Sequence, residues 1–203
     1  VPLAHPAVEE ELAKRASSEG ESSALVGIRH VVEDEPDPQF ILGEAFNRGI
    51  ALLKRFNLVY DLIILERQLP EAIAFVDRHP QQLFVLDHVA KPRIAAGELE
   101  PWASNMAELA RRENVFCKVS GMAREANWND WDLETMRPYL DRVFDLFGPE
   151  RILYGSDWPV CLLATSYEQW LSTIGHYCEA LSLAEQERVF HGTARSVYGL
   201  GEE

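Results

Sequence analysis

Cysteine is scarce in this chain of 203 residues: there are three, Cys117, Cys161 and Cys178, with no CxxC spacing. An odd, scattered set excludes a disulfide scaffold and fits free thiols in a reducing compartment, so a cytoplasmic location is expected. Positive charge is also in short supply, with 19 basic residues against 33 acidic ones and a formal net charge of −14. A field of that sign repels nucleic acid and anionic lipid. No basic stripe interrupts it, and neither partner is expected. No apolar run approaches the 18 or so residues of a membrane span, and no basic segment followed by an apolar stretch opens the chain. The glycine-rich patterns GxGxxG and GxxxxGK[ST] are absent, which removes the usual sequence support for a nucleotide-binding open sheet.

What the chain does have is ample core material, 47% hydrophobic and 10% aromatic. Short apolar runs at 25–28, 58–65, 83–86, 115–119 and 152–154 read as buried strands, recurring at roughly thirty-residue intervals. Between them Phe46, Ile50 and Leu53 mark one helix face, and Leu133, Met136, Leu140, Val143, Phe144 and Phe147 another. Shorter helices are expected at 8–15, 71–78 and 104–112, and two more at 167–177 and 184–197. Strand alternating with helix predicts parallel βαβ units, because a parallel return needs a crossover of about a dozen residues. No linker or shift of composition divides the chain.

Ionisable residues gather where these strands end. Arg29 and His30 follow the first run, Asp61 lies in the second, Asp87 and His88 follow the third, Lys118 sits in the fourth and Asp157 follows the fifth. The carboxyl ends of parallel strands are the working face of α/β folds. The bland alternative for each residue is a solvated loop position or an ion pair capping a strand.

Four stretches then carry a resemblance. They are Val26-Gly27-Ile28-Arg29-His30, the segment FVLDHVAKP at 84–92, VFCKVSGM at 115–122 and RILYGSDWPV at 151–160, with LVYDL at 58–62 falling between the first two. In this order and spacing the chain resembles the amidohydrolase-related (amidohydrolase 2) family of the amidohydrolase superfamily, and within it the L-fuconolactonase-like sugar-lactone hydrolases. The resemblance implies a TIM-type (β/α)8 barrel. Residues 1–203 would form a single domain holding strands four to eight, with strands one and two and most of strand three upstream. The family's first strand carries a His-x-His pair that serves the active site, and neither histidine is in this sequence. A barrel so truncated exposes two strand edges and its inner side chains. Either upstream strands complete the molecule, or copies of the chain pair as a homo-oligomer.

The activity this implies is the opening of a sugar-derived, aldonic acid lactone by water, a hydrolase step of carbohydrate metabolism with a small-molecule substrate. It needs a base, groups on the carbonyl oxygen and contacts that orient the ring. Asp157, in Gly-Ser-Asp-Trp-Pro, matches the family's catalytic aspartate, the alternative being a helix N-cap. His88 matches its sixth-strand histidine, which donates to the carbonyl oxygen or binds a metal. Together they are the metal-ligand candidates, and whether one divalent ion such as zinc is bound, or none, stays open here. Arg29 is the expected clamp on substrate oxygens, with an ion pair to Glu33 or Asp34 as its alternative. Asp61 points inward and needs a partner or a hydroxylated ligand. His30, Lys118 and Trp158 complete the substrate-binding set, with Lys118 pairing to Asp61 or Asp87, and Trp158 merely packing, as the alternatives. The loop at 127–131, with Trp128 and Trp131, is expected to overhang the mouth or to plug it. Two rivals stand beside this reading: a nonoxidative decarboxylase of the same superfamily, which predicts a mandatory metal and a more apolar pocket, and a decayed, non-catalytic barrel.

Overall fold

Five strands form in the places their apolar runs indicate. The computed structural model describes residues 3–17 and 25–201. In chain order it contains α1 (Val8–Ser17), β1 (Gly27–Val31), α2 (Glu44–Leu53), β2 (Val59–Ile63), α3 (Leu69–Asp77), β3 (Phe84–Leu86), α4 (Trp102–Ala110), β4 (Val115–Val119), α5 (Met122–Glu125), α6 (Leu133–Phe147), β5 (Ile152–Tyr154), α7 (Tyr167–Cys178), α8 (Leu183–Glu187) and α9 (Thr193–Tyr198). The last helix expected from sequence is interrupted, since a π-helical turn at Arg188–Gly192 joins α8 to α9. The first strand starts later than its apolar run and extends to Val31, so Arg29 and His30 lie inside it. Val1 and Pro2 lie outside the described residues.

The sheet is parallel throughout and its spatial order is the sequence order, β1-β2-β3-β4-β5. Right-handed crossovers without a reversal of order put successive helices on one face of the sheet. That is how a barrel winds, and it lacks the switch point of a doubly wound sheet.

The two faces of the sheet differ in chemistry because side chains alternate along each strand. Tyr60, Leu62, Phe84, Leu86, Val115, Cys117, Val119 and Ile152 turn outward to meet Phe46, Ile50, Phe75, Trp102, Met106, Leu140, Val143 and Ile174 of the helices in one continuous core. Each such large side chain, fully buried, contributes about 1.5–3 kcal/mol of transfer free energy. Helix ends are set locally. The Asp132 side chain accepts from Thr135 N at 2.8 Å to start α6, and Ser166 does the same for Gln169 N at the start of α7. On the inner face a smaller apolar cluster of Val59, Val85, Leu153 and Val197 forms a floor, and the polar residues stand above it.

Candidate active site

Past the end of β3 the backbone enters an unusual path. His88, Val89, Ala90 and Lys91 all take left-handed angles, with φ between 48° and 59°. Each non-glycine residue there costs about 1–2 kcal/mol, and β-branched Val89 is the least suited of them. All four are buried. Trp102 Nε1 donates to the Val89 carbonyl at 2.7 Å, and the Lys91 ammonium pairs with Glu33 from the loop after β1. Backbone strain held in place this firmly gathers at functional sites, and here it sets the His88 ring at the carboxyl edge of the sheet.

That ring is gripped on one side and open on the other. Its Nδ1 lies 2.8 Å from Ser120 Oγ, just beyond β4. Its Nε2 lies 3.6 Å from Asp157 Oδ1, beyond hydrogen-bonding distance. Asp157 Oδ2 is buried and has no hydrogen-bond partner among the described residues. A helix-capping role for Asp157 is not what the structure shows, since the following 3₁₀ turn at Val160–Leu163 has Pro159 at its N-cap and no side-chain cap. Burial lowers the His88 pKa despite the nearby Asp87 and Asp157 charges.

Below this pair runs a chain of charges on the inner face. The Tyr198 hydroxyl donates to Asp61 Oδ1 at 2.7 Å. Lys118 Nζ donates to Asp61 Oδ2 at 2.9 Å and to Asp87 Oδ1 at 2.6 Å. Arg29 Nη1 donates to Asp87 Oδ2 at 3.0 Å. Burial would raise the Asp87 carboxyl, but Lys118, His88 and Arg29 outweigh it and hold the pKa below the usual carboxylate value. Burial would also lower the Lys118 pKa, and Asp87 with Asp61 raises it instead. At Asp61 burial prevails over Lys118 and Tyr198, and its pKa is raised. The Arg29 side chain remains 50% exposed, leaving guanidinium N–H groups for a ligand. Arg29, Asp61, Lys118 and Tyr198 also line an inner-face cavity of about 450 Å³ together with Val26, Gly27, Ile28 and Leu200.

The structure thus brings together Arg29, Asp61, His88, Lys118 and Asp157. It pairs Arg29 with Asp87 and not with Glu33 or Asp34. His30 is not part of the cluster. Register aligns it with Leu62 on the helix side of the sheet, where it stacks on Phe40 at 4.9 Å and bonds Glu35. Trp158 neither packs nor joins the cluster, being 65% exposed. In the tryptophan loop Trp131 is a packing residue, edge-on to Trp170 and donating to the Ala164 carbonyl, whereas Trp128 is exposed. Sequence reasoning did not find Ser120, Tyr198 or the Lys91–Glu33 pair. Ser120 and Lys91 stood inside the family motifs, but Tyr198 carried no signal beyond the end of an apolar helix.

The donor set of His88 and Asp157 suits zinc, which takes imidazole nitrogen and carboxylate oxygen, and the unpartnered Asp157 Oδ2 gives it a vacant ligand atom. Two donors make half of a tetrahedral shell, and no group of three or more such residues exists among the described residues.

A parallel sheet wound in sequence order, with His88 and Asp157 together at its carboxyl edge, defines the α/β-barrel class. Comparison with known proteins makes the assignment sharper. The amidohydrolase family profile matches residues 1–200, and the chain belongs to that family. It is 40% identical over 203 residues to a protein of Burkholderia multivorans named L-fucono-1,5-lactonase, covering 95% of this chain and 68% of that protein. A protein of the same name from Burkholderia ambifaria is 38% identical, with 85% of this chain and 60% of that protein covered. A crystal structure of a Burkholderia multivorans amidohydrolase with bound zinc superimposes with a TM-score of 0.91 at 38% identity, over 99% of this chain and 72% of that one. The chain therefore spans about two thirds of its relatives and forms part of a barrel.

Proposed function

We propose that the complete barrel, in which these strands are the fourth to the eighth, opens the lactone of an aldonic acid by attack of water on the ester carbonyl. The observation that carries this reading is the unpartnered oxygen of Asp157 beside His88, at the edge from which Arg29 extends. The relatives named as fuconolactonases support the substrate class.

In the reaction Asp157 takes a proton as the water oxygen bonds to the carbonyl carbon. The carbonyl electron pair moves onto its oxygen, where the Arg29 guanidinium stabilises the developing charge. Collapse of the tetrahedral intermediate breaks the bond to the ring oxygen, which receives the proton from Asp157, and the new carboxylic acid gives its remaining proton to solvent and departs as a hydroxy carboxylate. Asp61 and Lys118, which with Arg29 line the inner-face cavity, contact ring hydroxyls. Zinc fits this reading, with His88 and Asp157 as the ligands this chain supplies. When bound, it polarises the carbonyl and lowers the pKa of water.

The charges of Arg29 and Lys118 are balanced by Asp61 and Asp87, which suits a neutral, hydroxyl-rich lactone better than a dicarboxylate. Arg29, Asp61, Lys118 and Tyr198 give one wall of the inner-face cavity hydrogen-bonding groups that a ring of hydroxyls can use, while Val26, Ile28 and Leu200 form the other. We place the enzyme in the cytosol, in keeping with three buried free thiols. No helix among the described residues is long and apolar enough to cross a membrane.

Proton release from a panel of aldonolactones, measured on the full-length protein with and without chelator, tests the proposal. Turnover supports it and the chelator decides the metal, whereas inertness towards every lactone rejects it.

A further inference from the structure

We infer that Ser120 is a positioning residue that determines which nitrogen of His88 carries the proton. Ser120 directly follows β4 and is 1% exposed, and its Oγ lies 2.8 Å from His88 Nδ1. The ring can meet this hydroxyl in two ways. With the proton on Nε2, an N–H would face a carboxylate, Nδ1 would accept from Ser120, and the Nε2 to Asp157 contact should close to about 2.7–2.9 Å if charge-assisted. With the proton on Nδ1, Ser120 Oγ accepts it, and the Nε2 lone pair faces Asp157 Oδ1 as one acceptor facing another. The observed 3.6 Å separation and the unpartnered Asp157 Oδ2 match the second arrangement. Two acceptors then share one space, which suits a metal ion or the two protons of a water.

The residue after Ser120 leaves the space the ring occupies. A Cβ on Gly121 would lie 2.8 Å from His88 Nδ1 and 2.9 Å from its Cγ, and the φ of +64° independently favours glycine. Ser120 and Gly121 therefore act together, one holding the proton and the other admitting the ring close to the β4 end. Partners that orient a ligating histidine through its second nitrogen are worth about 10- to 100-fold in metal affinity or activity.

The effect on turnover rests on the hydrolytic reading given above, but the tautomer does not. The test uses full-length, zinc-free protein labelled with ¹⁵N-histidine. Long-range ¹H–¹⁵N correlation should show His88 with a protonated Nδ1 and an unprotonated Nε2. Ser120→Ala should weaken zinc binding, read by competition with a chromophoric chelator, by about 10- to 100-fold. It should lower kcat similarly while KM stays within about twofold, and Ser120→Thr, which keeps the hydroxyl, should restore both. A protonated Nε2 in the wild type, or unchanged zinc affinity in Ser120→Ala, overturns the inference. If Ser120→Ala does not fold, the wild-type tautomer decides alone. A wild type that shows the Nδ1–H form yet opens no lactone upholds the inference and rejects the lactonase reading.

Discussion

Lys118 bridges two aspartates on neighbouring strands, reaching Asp61 at 2.9 Å and Asp87 at 2.6 Å. The side chain of Asp87 is 0% exposed, so without the lysine only Arg29 would offset a carboxylate held away from water. Removing one member of a buried charge set costs about 3–5 kcal/mol, because the others keep their desolvation penalty. Lys118→Met, close in length but uncharged, is expected to lower the urea midpoint accordingly, and the added loss from Asp61→Asn in that background should be smaller than in the wild type. Additive losses would mean that the pair is not coupled.

The two aspartates should respond to pH with opposite sign. The Asp87 pKa is depressed in the fold, so its stabilisation is present above the unfolded value, about 3.9, and is lost as pH falls through the folded one. The Asp61 pKa is raised, so the folded state retains its proton as the unfolded chain gives it up. The wild type thus loses stability as pH climbs from the unfolded pKa to the folded one. Unfolding free energies at a series of pH values from acid to neutral should therefore show Asp87→Asn becoming relatively more damaging as pH rises, and Asp61→Asn less so. Parallel profiles would contradict the arrangement.

Asp157→Asn tests chemistry apart from folding. One carboxylate oxygen makes no hydrogen bond among the described residues, so an isosteric amide should change Tm little. Loss of a general base lowers rates by about 10²–10⁴-fold. Proton-release assays on aldonolactones should show that fall in kcat, and retained turnover would remove Asp157 from the role of base.

The tryptophans of the 127–131 loop should separate. Trp131 packs edge-on against Trp170, with ring centroids 6.2 Å apart, and its truncation to alanine should cost about 1–3 kcal/mol, below the range for fully buried aromatics. Trp128 is 48% exposed, and Trp128→Ala should fall within about 0.5 kcal/mol of the wild type. Thermal melts of the two variants check this, and a large loss for Trp128 would show that the loop is a plug.

Much of this architecture was legible in the sequence for a physical reason. Strands buried on both faces of a parallel sheet read as continuous apolar runs, as at 83–86 and 115–119, and the helices on their outer side show the 3.6-residue stripe that Met136, Leu140 and Val143 display. His88 and Asp157 stood out because ionisable groups placed after such strands have no packing purpose. The left-handed run from His88 to Lys91 was not legible, since none of its four residues is a glycine and nothing local calls for φ above zero. It is held by Trp102 and Glu33, which approach from other segments of the chain.

The amino-acid sequence by itself determined which chemical groups are present and in what order the strands carry them, because apolar runs and polar interruptions are properties of short segments. The tertiary structure decided which groups meet. Tyr198 reaches Asp61 across 137 positions of sequence and Ser120 reaches His88 across 32, distances over which no local pattern carries information. It also decided between neighbours. Arg29 and His30 are adjacent and equally suited to a site, yet alternation along a strand sends one to the inner face and the other among the helices. Which face is which depends on the side where the crossovers pack.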